Sequence, residues 1–334
     1  MKILVTGATG FLGSHLVSRL AQNGDEVIAL VRKTSNLDHL PKTGVNVVFG
    51  DLKEKDSIQR AVEGVDIVYH AGAAMQGDQE EYEQSTVRGT QWMLELAQAA
   101  GVKRFVHISS LVVYKVNGLK RNALVNEECP YEPVPERVGP YAYAKLEAEK
   151  LAFRFCEQGL PVVVVRPGII YGTRGKIMFP HVGYFFKGKL FVIVGNGANL
   201  LPLTYIDNTV DAIIMASHSE KAIGQAYTIV DDEEITQKEY LNRYFQEMNS
   251  KVPVLAIPLS LFLLPVGLVE QLKSFGFLKN KHTPSKYGLY SKYHSLRYSA
   301  AKAREELNWQ PKISLEEGLS RTFAWYKRIS LAID

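Results

Sequence analysis

Cysteine is scarce in this 334-residue sequence, and no hydrophobic stretch is both long and free of helix-breaking residues. The two cysteines, Cys129 and Cys156, are isolated and match no metal-ligand spacing, which excludes a disulfide framework and favours a reducing, cytoplasmic compartment with no bound metal. The longest uncharged run, residues 252–269, contains three prolines. Because proline removes a backbone donor and breaks a regular helix, a helix that spans a bilayer is not expected there. The apolar start of the chain also stops too early for a signal peptide, so we expect none.

A strong excess of charge of one sign is also missing, since 39 lysines and arginines face 35 aspartates and glutamates. With 46% hydrophobic and 22% charged residues, the composition is that of a folded globular protein and excludes a disordered or fibrous chain. The small basic excess is unevenly spread. Residues 271–304 hold eight Lys or Arg and no Asp or Glu, which leaves 31 basic and 35 acidic residues elsewhere. The mild net charge therefore conceals one basic segment on a slightly acidic body.

Short β-branched runs alternate with longer amphipathic stretches over the first 170 residues, which is typical of βα units and a parallel sheet. We therefore predict an α/β fold, with a doubly wound Rossmann sheet in residues 1–170. Residues 171–334 are predicted to form a smaller, mainly substrate-binding lobe that returns some elements to the sheet. The predicted strands are residues 3–5, 27–31, 45–49, 67–70, 105–108 and 162–166, and the predicted helices are residues 11–23, 55–63, 79–100, 141–158 and 206–217.

A glycine-rich turn follows the first predicted strand and opens the first predicted helix. The first glycine of such a turn permits a tight bend, the second lets the backbone approach a pyrophosphate, and the third lets the helix pack closely on the sheet. The N–H groups at the helix start can bind the anion. This strand–turn–helix setting predicts a dinucleotide-binding site. The turn reads Thr6-Gly7-Ala8-Thr9-Gly10-Phe11-Leu12-Gly13.

The end of the second predicted strand bears on the choice between NAD and NADP. An acidic residue there would bind the ribose 2′-hydroxyl, and an arginine would accept a 2′-phosphate. This strand ends in Arg32 and Lys33, followed by two hydroxyl side chains and no carboxylate. Charge-assisted hydrogen bonds from these groups suit a phosphate, so NADP(H) is favoured and NAD(H) is the alternative. A solvated basic loop is the other interpretation of the pair.

A tyrosine and a lysine four residues apart, Tyr141 and Lys145, fall on one face of a predicted helix. A nearby ammonium favours a phenolate, so we expect the pKa of Tyr141 to be lowered toward a value useful for proton transfer. Ser110 follows a predicted strand, at the edge where open α/β sheets hold their ligands, and its hydroxyl can donate to a carbonyl oxygen. The Tyr–Lys spacing alone is common by chance. Its order after the glycine turn and the serine is what indicates a catalytic set.

Together these motifs make the sequence resemble the extended short-chain dehydrogenase/reductase family over essentially the whole chain. The resemblance implies that Tyr141 is the acid/base, that Lys145 binds the nicotinamide ribose and lowers the tyrosine pKa, and that Ser110 orients the substrate oxygen. It further implies that the pair at 51–52 holds the adenine, that 71–73 lie under the cofactor, and that the backbone after Arg166 meets the nicotinamide. The expected cofactor-binding residues are Gly7, Thr9, Gly10, Phe11, Leu12, Gly13, Arg32, Asp51, Leu52, Ala71, Gly72, Ala73, Tyr141, Lys145, Pro167, Ile169 and Ile170.

One position departs from the family pattern. Thr86 stands where this family usually has an asparagine on the central helix. A threonine cannot present both an amide donor and a carbonyl acceptor. The resemblance therefore does not extend to a proton relay or a helix distortion that depends on that asparagine.

Two segments distinguish between branches of the family. Nucleotide-sugar enzymes commonly carry Arg–x–x–Asn after the sixth strand and an Arg before a Val-Asp-Asp stretch. The equivalent segments of this chain, residues 166–171 and 203–208, have neither signature. Both segments resemble the 3β-hydroxysteroid dehydrogenase and dihydroflavonol reductase branches. That implies an oxidoreductase that interconverts a secondary alcohol and a ketone on a largely apolar, small-molecule substrate. A nucleotide-sugar epimerase or dehydratase is the alternative, and a non-catalytic nucleotide-sensing or membrane-associated protein is a third interpretation.

The apolar run 252–269 would line a hydrophobic pocket or belong to ordinary core.

The basic segment 271–304 bears on partners. Its eight cations and six aromatic residues fit peripheral membrane contact through residues 252–304, attraction of an acidic substrate tail, or a solvated basic face. No nucleic-acid recognition module accompanies the charge, so we expect no nucleic-acid partner. The family resemblance implies a homodimer packed through helices 79–100 and 141–158.

Overall fold

The computed structural model describes residues 1–274 and 285–331. Its strands are β1 (Lys2–Thr6), β2 (Glu26–Val31), β3 (Val45–Phe49), β4 (Ile67–His70), β5 (Arg104–Ile108), β6 (Leu124–Val125), β7 (Val162–Pro167), β8 (Ile169–Tyr171), β9 (Tyr184–Phe186), β10 (Leu190–Val194), β11 (Leu200–Leu201), β12 (Leu203–Tyr205), β13 (Ala226–Ile229), β14 (Ile235–Thr236), β15 (Val254–Ile257) and β16 (Arg297–Tyr298). Its α-helices are α1 (Phe11–Gln22), α2 (Lys55–Val62), α3 (Gln79–Tyr82), α4 (Gly89–Ala99), α5 (Pro135–Val138), α6 (Pro140–Glu157), α7 (Ile206–His218), α8 (Gln237–Glu247), α9 (Leu259–Ser274), α10 (Lys286–Tyr293), α11 (Ala301–Leu307) and α12 (Leu315–Leu331). A π-helical segment, Glu83–Arg88, joins α3 to α4, and 3-10 turns cover Leu111–Val113 and Glu220–Ala222.

Seven parallel strands form the main sheet, in the order β13-β7-β5-β4-β1-β2-β3. The chain runs outward from β1 to β3, returns to the other side of β1 at β4, and then runs outward again to β13. Strands β4 and β5 are buried at every residue, because helices cover both faces of the sheet. The predicted α/β Rossmann fold is confirmed, and all six predicted strands lie in this sheet.

Two hydrophobic cores hold helices against the two faces of the main sheet. On one face α1 and α7 pack on the strands through residues such as Leu16 and Ile213. On the other face α2, α4 and α6 pack through residues such as Ile58, Leu94 and Ala152. The glycine turn and the Tyr–Lys helix therefore belong to elements that are anchored on a rigid sheet.

The second half of the chain contributes to both lobes. Strand β13 forms the edge of the main sheet beside β7, and α7 covers one of its faces. A smaller sheet, in the order β15-β10-β9, lies in the carboxyl-terminal lobe, and α9 and α10 pack on β10. Among the described residues, none of the helices combines the length and the apolarity needed to cross a membrane.

Part of the positive charge of the basic segment 271–304 is neutralised by ion pairs. Residues 275–284, which include the aromatic residues Phe275 and Phe277, lie outside the described residues. In the remainder, Arg297 pairs with Glu234 at 2.8 Å and Arg304 pairs with an oxygen of Asp232. The arginines of the segment are thus neutralised by acidic residues that lie far away in the sequence.

Candidate active site

The residues predicted to bind cofactor and substrate follow the carboxyl ends of neighbouring strands of the main sheet. In a doubly wound sheet, ligands bind in the crevice where the strand order reverses, which is here between β1 and β4. The structure therefore brings the predicted segments to one edge of the sheet. The glycine turn follows β1, Arg32 follows β2, Asp51 and Leu52 follow β3, Ala71 to Ala73 follow β4, Ser110 follows β5, Pro167 ends β7, and Ile169 and Ile170 lie in β8.

The glycine turn has a backbone that larger residues could not adopt. Gly7 has a φ of +66°, in the left-handed region, and a β-carbon there would lie 2.8 Å from the Ala71 backbone. A β-carbon at Gly13 would lie 2.1 Å from the Gly7 carbonyl oxygen, so only glycine lets α1 pack this closely on the turn. Gly10 begins α1 with no side-chain cap, and no acidic residue lies in the first helical turn. The uncapped N–H groups at the start of α1 fit a pyrophosphate.

His70, at the end of β4, connects β4 to β1 and α4 through hydrogen bonds of its ring. Its Nδ1 is hydrogen-bonded to Thr6 Oγ1 at 2.8 Å, and its Nε2 to Thr90 Oγ1 at 2.9 Å. The Gly72 N–H donates to the same Thr6 oxygen at 3.0 Å. Burial lowers the pKa of His70 to about 3, so the ring is neutral. This network holds the loop after β4 against the glycine turn.

Arg32 is exposed directly after β2, and its side chain forms no hydrogen bond or ion pair within residues 1–274 and 285–331. Arg32 acts electrostatically on an ion pair in which Lys53 lies 3.0 Å from Glu81. The pKa of Glu81 is lowered mainly by hydrogen bonds from Ser85 and Lys53, and Arg32 adds to this effect. A guanidinium in this position is available to an anionic ligand.

The three predicted catalytic side chains meet at the carboxyl end of β5. Helix α6 begins at Pro140 and carries Tyr141 and Lys145 in its first two turns. The Ser110 hydroxyl interacts with the Tyr141 phenol and lowers its pKa. Lys145 is only 5% exposed, and its Nζ donates to the carbonyl oxygen of Ile108 at 2.7 Å. A hydroxyl, a phenol and an ammonium thus share one end of the crevice.

The pKa of Tyr141 differs from the sequence-based expectation, which was wrong in direction. Burial raises this pKa, the interaction with Ser110 opposes the rise only in part, and Tyr82, whose ring centroid lies 6.4 Å away, raises it further. The ammonium of Lys145 does not lower it, because Nζ is directed at the Ile108 carbonyl. Burial also lowers the pKa of Lys145 to about 8, against the opposing effect of Glu149. Tyr141 is therefore held as a protonated phenol.

Thr86 makes a structural contact in spite of its departure from the family pattern. It lies in the π-helical segment Glu83–Arg88, and its Oγ1 accepts the N–H of Ala74 at 2.9 Å. The helix distortion that was not expected without an asparagine is therefore present. A hydroxyl is sufficient, because the Ala74 N–H requires only one acceptor.

A buried ion pair links helix α6 to the sheet. Arg166, at the end of β7, and Glu149, on α6, are 4% and 0% exposed, and Arg166 Nε lies 3.1 Å from Glu149 Oε1. The carboxylate of Glu149 also accepts hydrogen bonds from Ser109 and, at 2.8 Å, from Tyr131. Because Glu149 lies one helical turn after Lys145, this cluster fixes α6 against β5 and β7.

A comparison with known protein families identifies the family of this chain. A family model described as the NAD dependent epimerase/dehydratase family matches residues 3–229. The chain belongs to this family. It is an enzyme of the extended short-chain dehydrogenase/reductase type.

Two curated proteins are similar to the chain over more than nine tenths of their length. The chain is 29% identical over 327 residues to a 2-alkyl-3-oxoalkanoate reductase of Stenotrophomonas maltophilia, covering 96% of this chain and 98% of that protein. It is also 29% identical over 340 residues to a 3-beta-hydroxysteroid dehydrogenase of Mycolicibacterium neoaurum, covering 97% and 91%. A crystal structure of UDP-glucose 4-epimerase from Thermotoga maritima with UDP-glucose shares the fold, with a TM-score of 0.79, 21% identity, and coverage of 99% and 100%.

Two charged residues that lie near the site, Glu149 and Arg174, were not among the site residues predicted from the sequence. Glu149 had a weak signal, since it lies four residues after Lys145 and so on the same helix face. Arg174 had none. It has a φ of +69°, its Nη1 donates to the His39 carbonyl oxygen at 3.3 Å, and its Nε lies 3.1 Å from Nε2 of His15 on α1. This geometry adds a positive charge beside the first turns of α1.

Proposed function

We propose that this protein is an NADP(H)-dependent oxidoreductase that interconverts a secondary alcohol and a ketone on a largely apolar substrate. The observation that carries the proposal is the meeting of Ser110, Tyr141 and Lys145 at the carboxyl end of β5, on the same sheet edge as the glycine turn. A hydroxyl and a protonated phenol in one crevice can bind and protonate a carbonyl oxygen.

The proposed cofactor site follows the edge of the sheet. The N–H groups at the start of α1 would bind the pyrophosphate, Arg32 the 2′-phosphate, and Asp51 and Leu52 the adenine, while the backbone at 167–170 would meet the nicotinamide. When bound, NADP(H) supplies or accepts the hydride. The exposed guanidinium of Arg32 supports NADP(H) over NAD(H), because no carboxylate follows β2 to receive a ribose hydroxyl.

The roles of the side chains follow from their protonation. In the direction of reduction, Tyr141 would donate its phenolic proton to the carbonyl oxygen, and Ser110 would donate a hydrogen bond to the same oxygen. The raised pKa of Tyr141 keeps this proton in place at neutral pH. Lys145, with a pKa of about 8, is mostly protonated at pH 7 and would bind the nicotinamide ribose, while Tyr141 is left as a phenolate. In the direction of oxidation, that phenolate would accept the proton of the alcohol.

Two observations support an apolar substrate over a nucleotide sugar. Arg166 stands where nucleotide-sugar enzymes have a polar signature, but it is buried beside Glu149, and its guanidinium carbon lies 4.8 Å from the ring centroid of Tyr114. It is therefore not available to a diphosphate. The relatives at 29% identity are named for an oxoalkanoate and for a hydroxysteroid, and both names describe a carbonyl or hydroxyl group on an apolar body.

We also propose that the protein is a homodimer packed through α4 and α6. Partly buried apolar side chains on these helices, including Trp92, Leu96 and Phe153, support this assignment. Light scattering after size-exclusion chromatography should give about twice the chain mass of 37.4 kDa. A monomer mass at micromolar concentration would contradict the dimer.

A thermal-shift comparison of NADPH, NADH and UDP-glucose tests the cofactor and the substrate class together, because a ligand that binds the folded state raises Tm by mass action. We expect the largest shift from NADPH and none from UDP-glucose. A larger shift from NADH would refute the role of Arg32. A shift from UDP-glucose, with NAD retained through purification, would favour a nucleotide-sugar epimerase or dehydratase.

Turnover of Tyr141→Phe tests the chemistry. With a 2-alkyl-3-oxoalkanoate or a 3β-hydroxysteroid as substrate, kcat should fall by about 10²- to 10⁴-fold, because the general acid is lost. Binding of NADPH, followed by its fluorescence, should persist. The matched control is Tyr143→Phe on the same helix, whose phenol faces Glu83 and should be dispensable. Wild-type turnover by Tyr141→Phe would show the mechanism to be wrong.

A further inference from the structure

The carboxyl-terminal lobe exposes a concentration of large apolar side chains. Eight of the thirteen such side chains that are exposed in residues 1–274 and 285–331 lie on only three elements, β9, β15 and α9. A scattered set of single exposed residues would need no explanation, but a cluster of this size marks an interaction surface. The eight residues, here called the docking patch, are Tyr184, Phe185, Phe186, Val254, Leu255, Leu261, Leu264 and Leu268.

Helix α9 forms the most exposed part of the docking patch, because it is apolar on two sides. Its inner side packs on β10 and α10 through residues such as Phe262 and Val266. Leu261, Leu264 and Leu268 are spaced by three and four residues and so form a stripe on one other face, where they are 56%, 65% and 60% exposed. The interpretation of run 252–269 as core therefore holds for the inner side of α9 and for Val252, which packs on the main core, but not for the exposed leucine stripe.

Unpaired lysines flank the docking patch. Phe186, at the end of β9, is 58% exposed, and the Nζ atom of Lys187 lies 5.6 Å from the centroid of its ring. Lys189 follows two residues later, and Lys251 precedes β15. All three lysines are exposed, and none forms an ion pair with any residue that the structure describes. Apolar side chains are thus bordered by cations that have no acidic partner in this part of the chain.

We propose that the docking patch binds the surface of an anionic lipid bilayer. Exposed leucines and aromatic rings enter the interface between headgroups and acyl chains, while the flanking lysines meet lipid phosphates. The segments 176–206 and 248–269, which supply the patch, contain no Asp or Glu that would be repelled by such a surface. A second copy of the chain is a poorer partner, because a two-fold interface would place the same unpaired lysines on both sides of the contact.

The docking patch is connected to the catalytic helix through α10. Helix α10 packs on α9, and its Tyr287 ring lies 4.7 Å from the guanidinium carbon of Arg137 on α5. Helix α5 leads directly into α6, on which Tyr141 lies. If the proposed function holds, docking would let an apolar ketone or alcohol pass from the bilayer to Tyr141. The docking itself does not depend on that function.

Sedimentation with lipid vesicles tests the docking with the full chain and with no cofactor or substrate. The probes are vesicles of phosphatidylcholine alone and vesicles with about one third phosphatidylglycerol. We expect the protein to pellet with the anionic vesicles, several-fold less with the neutral ones, and less with the anionic ones as salt is raised, because surface charges are screened. No pelleting with either composition would overturn the proposal.

Replacement of the leucine stripe tests the apolar contribution. The triple variant Leu261→Ser, Leu264→Ser, Leu268→Ser should lower the partition coefficient by about 1,000-fold or more, since burial of each leucine contributes roughly tenfold or more. The control is Leu124→Ser, which removes a leucine that is 63% exposed outside the patch. In a separate variant, Leu264→Trp, the emission of the introduced indole should shift to the blue with anionic vesicles. Pelleting that is unchanged in the triple variant, or an indole emission that does not shift, would contradict insertion of α9.

Replacement of the lysines tests the charge contribution. Each lysine near an anionic surface contributes about fivefold to binding, so the triple variant Lys187→Gln, Lys189→Gln, Lys251→Gln should lower binding to anionic vesicles by about 100-fold and leave weak binding to neutral vesicles unchanged. The control for the lysine variant, which removes the same charge elsewhere, is Lys103→Gln, Lys150→Gln, Lys327→Gln.

The mass in solution tests the alternative that the patch is a contact between copies of the chain. If the leucine variant changes this mass from dimer to monomer while the wild-type protein binds no vesicles, the proposal fails.

Discussion

Replacement of the buried carboxylate in Glu149→Gln should lower the stability of the protein and should move the alkaline limit of its activity to lower pH. Glu149 is 0% exposed and is the only carboxylate within 4 Å of the Arg166 guanidinium among the described residues. Glutamine has nearly the same shape, but it leaves this buried cation without a counter-charge. Removal of one partner of a buried ion pair costs about 3–5 kcal/mol. For a chain of this size, we expect Tm to fall by roughly 10 °C.

The second effect of Glu149→Gln concerns Lys145. Burial lowers the pKa of Lys145 to about 8, and the negative charge of Glu149 opposes that shift. Without this charge the pKa falls further, and because the ammonium is the form present below the pKa, Lys145 loses its proton at a lower pH. The alkaline limb of the kcat profile should therefore move to lower pH, and activity at pH 7 should fall more than activity at pH 6.

Urea denaturation, thermal melts and pH–rate profiles measure both effects. The matched control is Glu147→Gln on the same helix, since the carboxylate of Glu147 pairs at 2.8 Å with the exposed Lys150 and should contribute less than about 1 kcal/mol. The double variant Glu149→Leu, Arg166→Met removes both charges and should recover much of the lost stability. Wild-type stability of Glu149→Gln would refute the energetic reasoning. A destabilised variant with an unchanged pH profile would refute the coupling to Lys145.

Three further predictions concern the cofactor site and the buried histidines. Gly13→Ala would place a β-carbon 2.1 Å from the Gly7 carbonyl oxygen, so α1 must shift, and the affinity for NADPH in a fluorescence titration should fall by more than about tenfold. Arg32→Ala should raise the Kd for NADPH by roughly 10- to 100-fold, the value of a charged hydrogen bond, and leave that for NADH within about twofold; equal losses would contradict a 2′-phosphate contact. Burial lowers the pKa of His70 to about 3 and holds that of His107 well below its usual 6.5, so both rings are neutral in the folded protein. Their contribution to stability is complete above pH 6.5 and is lost as the pH falls below it, at up to about 1.4 kcal/mol per pH unit for each ring, and urea midpoints that do not change between about pH 7 and 5 would contradict this.

Much of the fold and of the candidate site could be predicted from local patterns in the sequence. Runs such as 67–70 and 162–166 are apolar at successive positions, which indicates strands covered on both faces, and the structure has them in the main sheet. The carboxyl ends of parallel strands share one edge of a sheet, so the order of the motifs was enough to group Ser110 with the glycine turn. The spacing of Tyr141 and Lys145 placed both on one helix face for the same kind of reason.

The direction of the Tyr141 pKa could not be predicted in the same way. The sequence shows that an ammonium lies four residues from the phenol, but it does not show that Nζ is turned to the Ile108 carbonyl at 2.7 Å. Nor does it show that the phenol is half-buried beside Tyr82. The pKa depends on desolvation and on the orientation of neighbouring groups, and both are set by packing between segments that are distant in the chain.

The sequence by itself determined six strands of the main sheet, the glycine turn and the order of Ser110, Tyr141 and Lys145, because these depend on periodicity and on chain order. It predicted one continuous helix over 79–100, where the structure has a π-helical segment. Only the tertiary structure decided which charges are paired. Arg166 is neutralised by Glu149, and Arg297 by Glu234, whereas the lysines around the docking patch meet no acidic group among the described residues. The physical reason is that an ion pair requires two groups within a few ångströms of each other, and the folded chain, not the sequence distance between them, sets that separation.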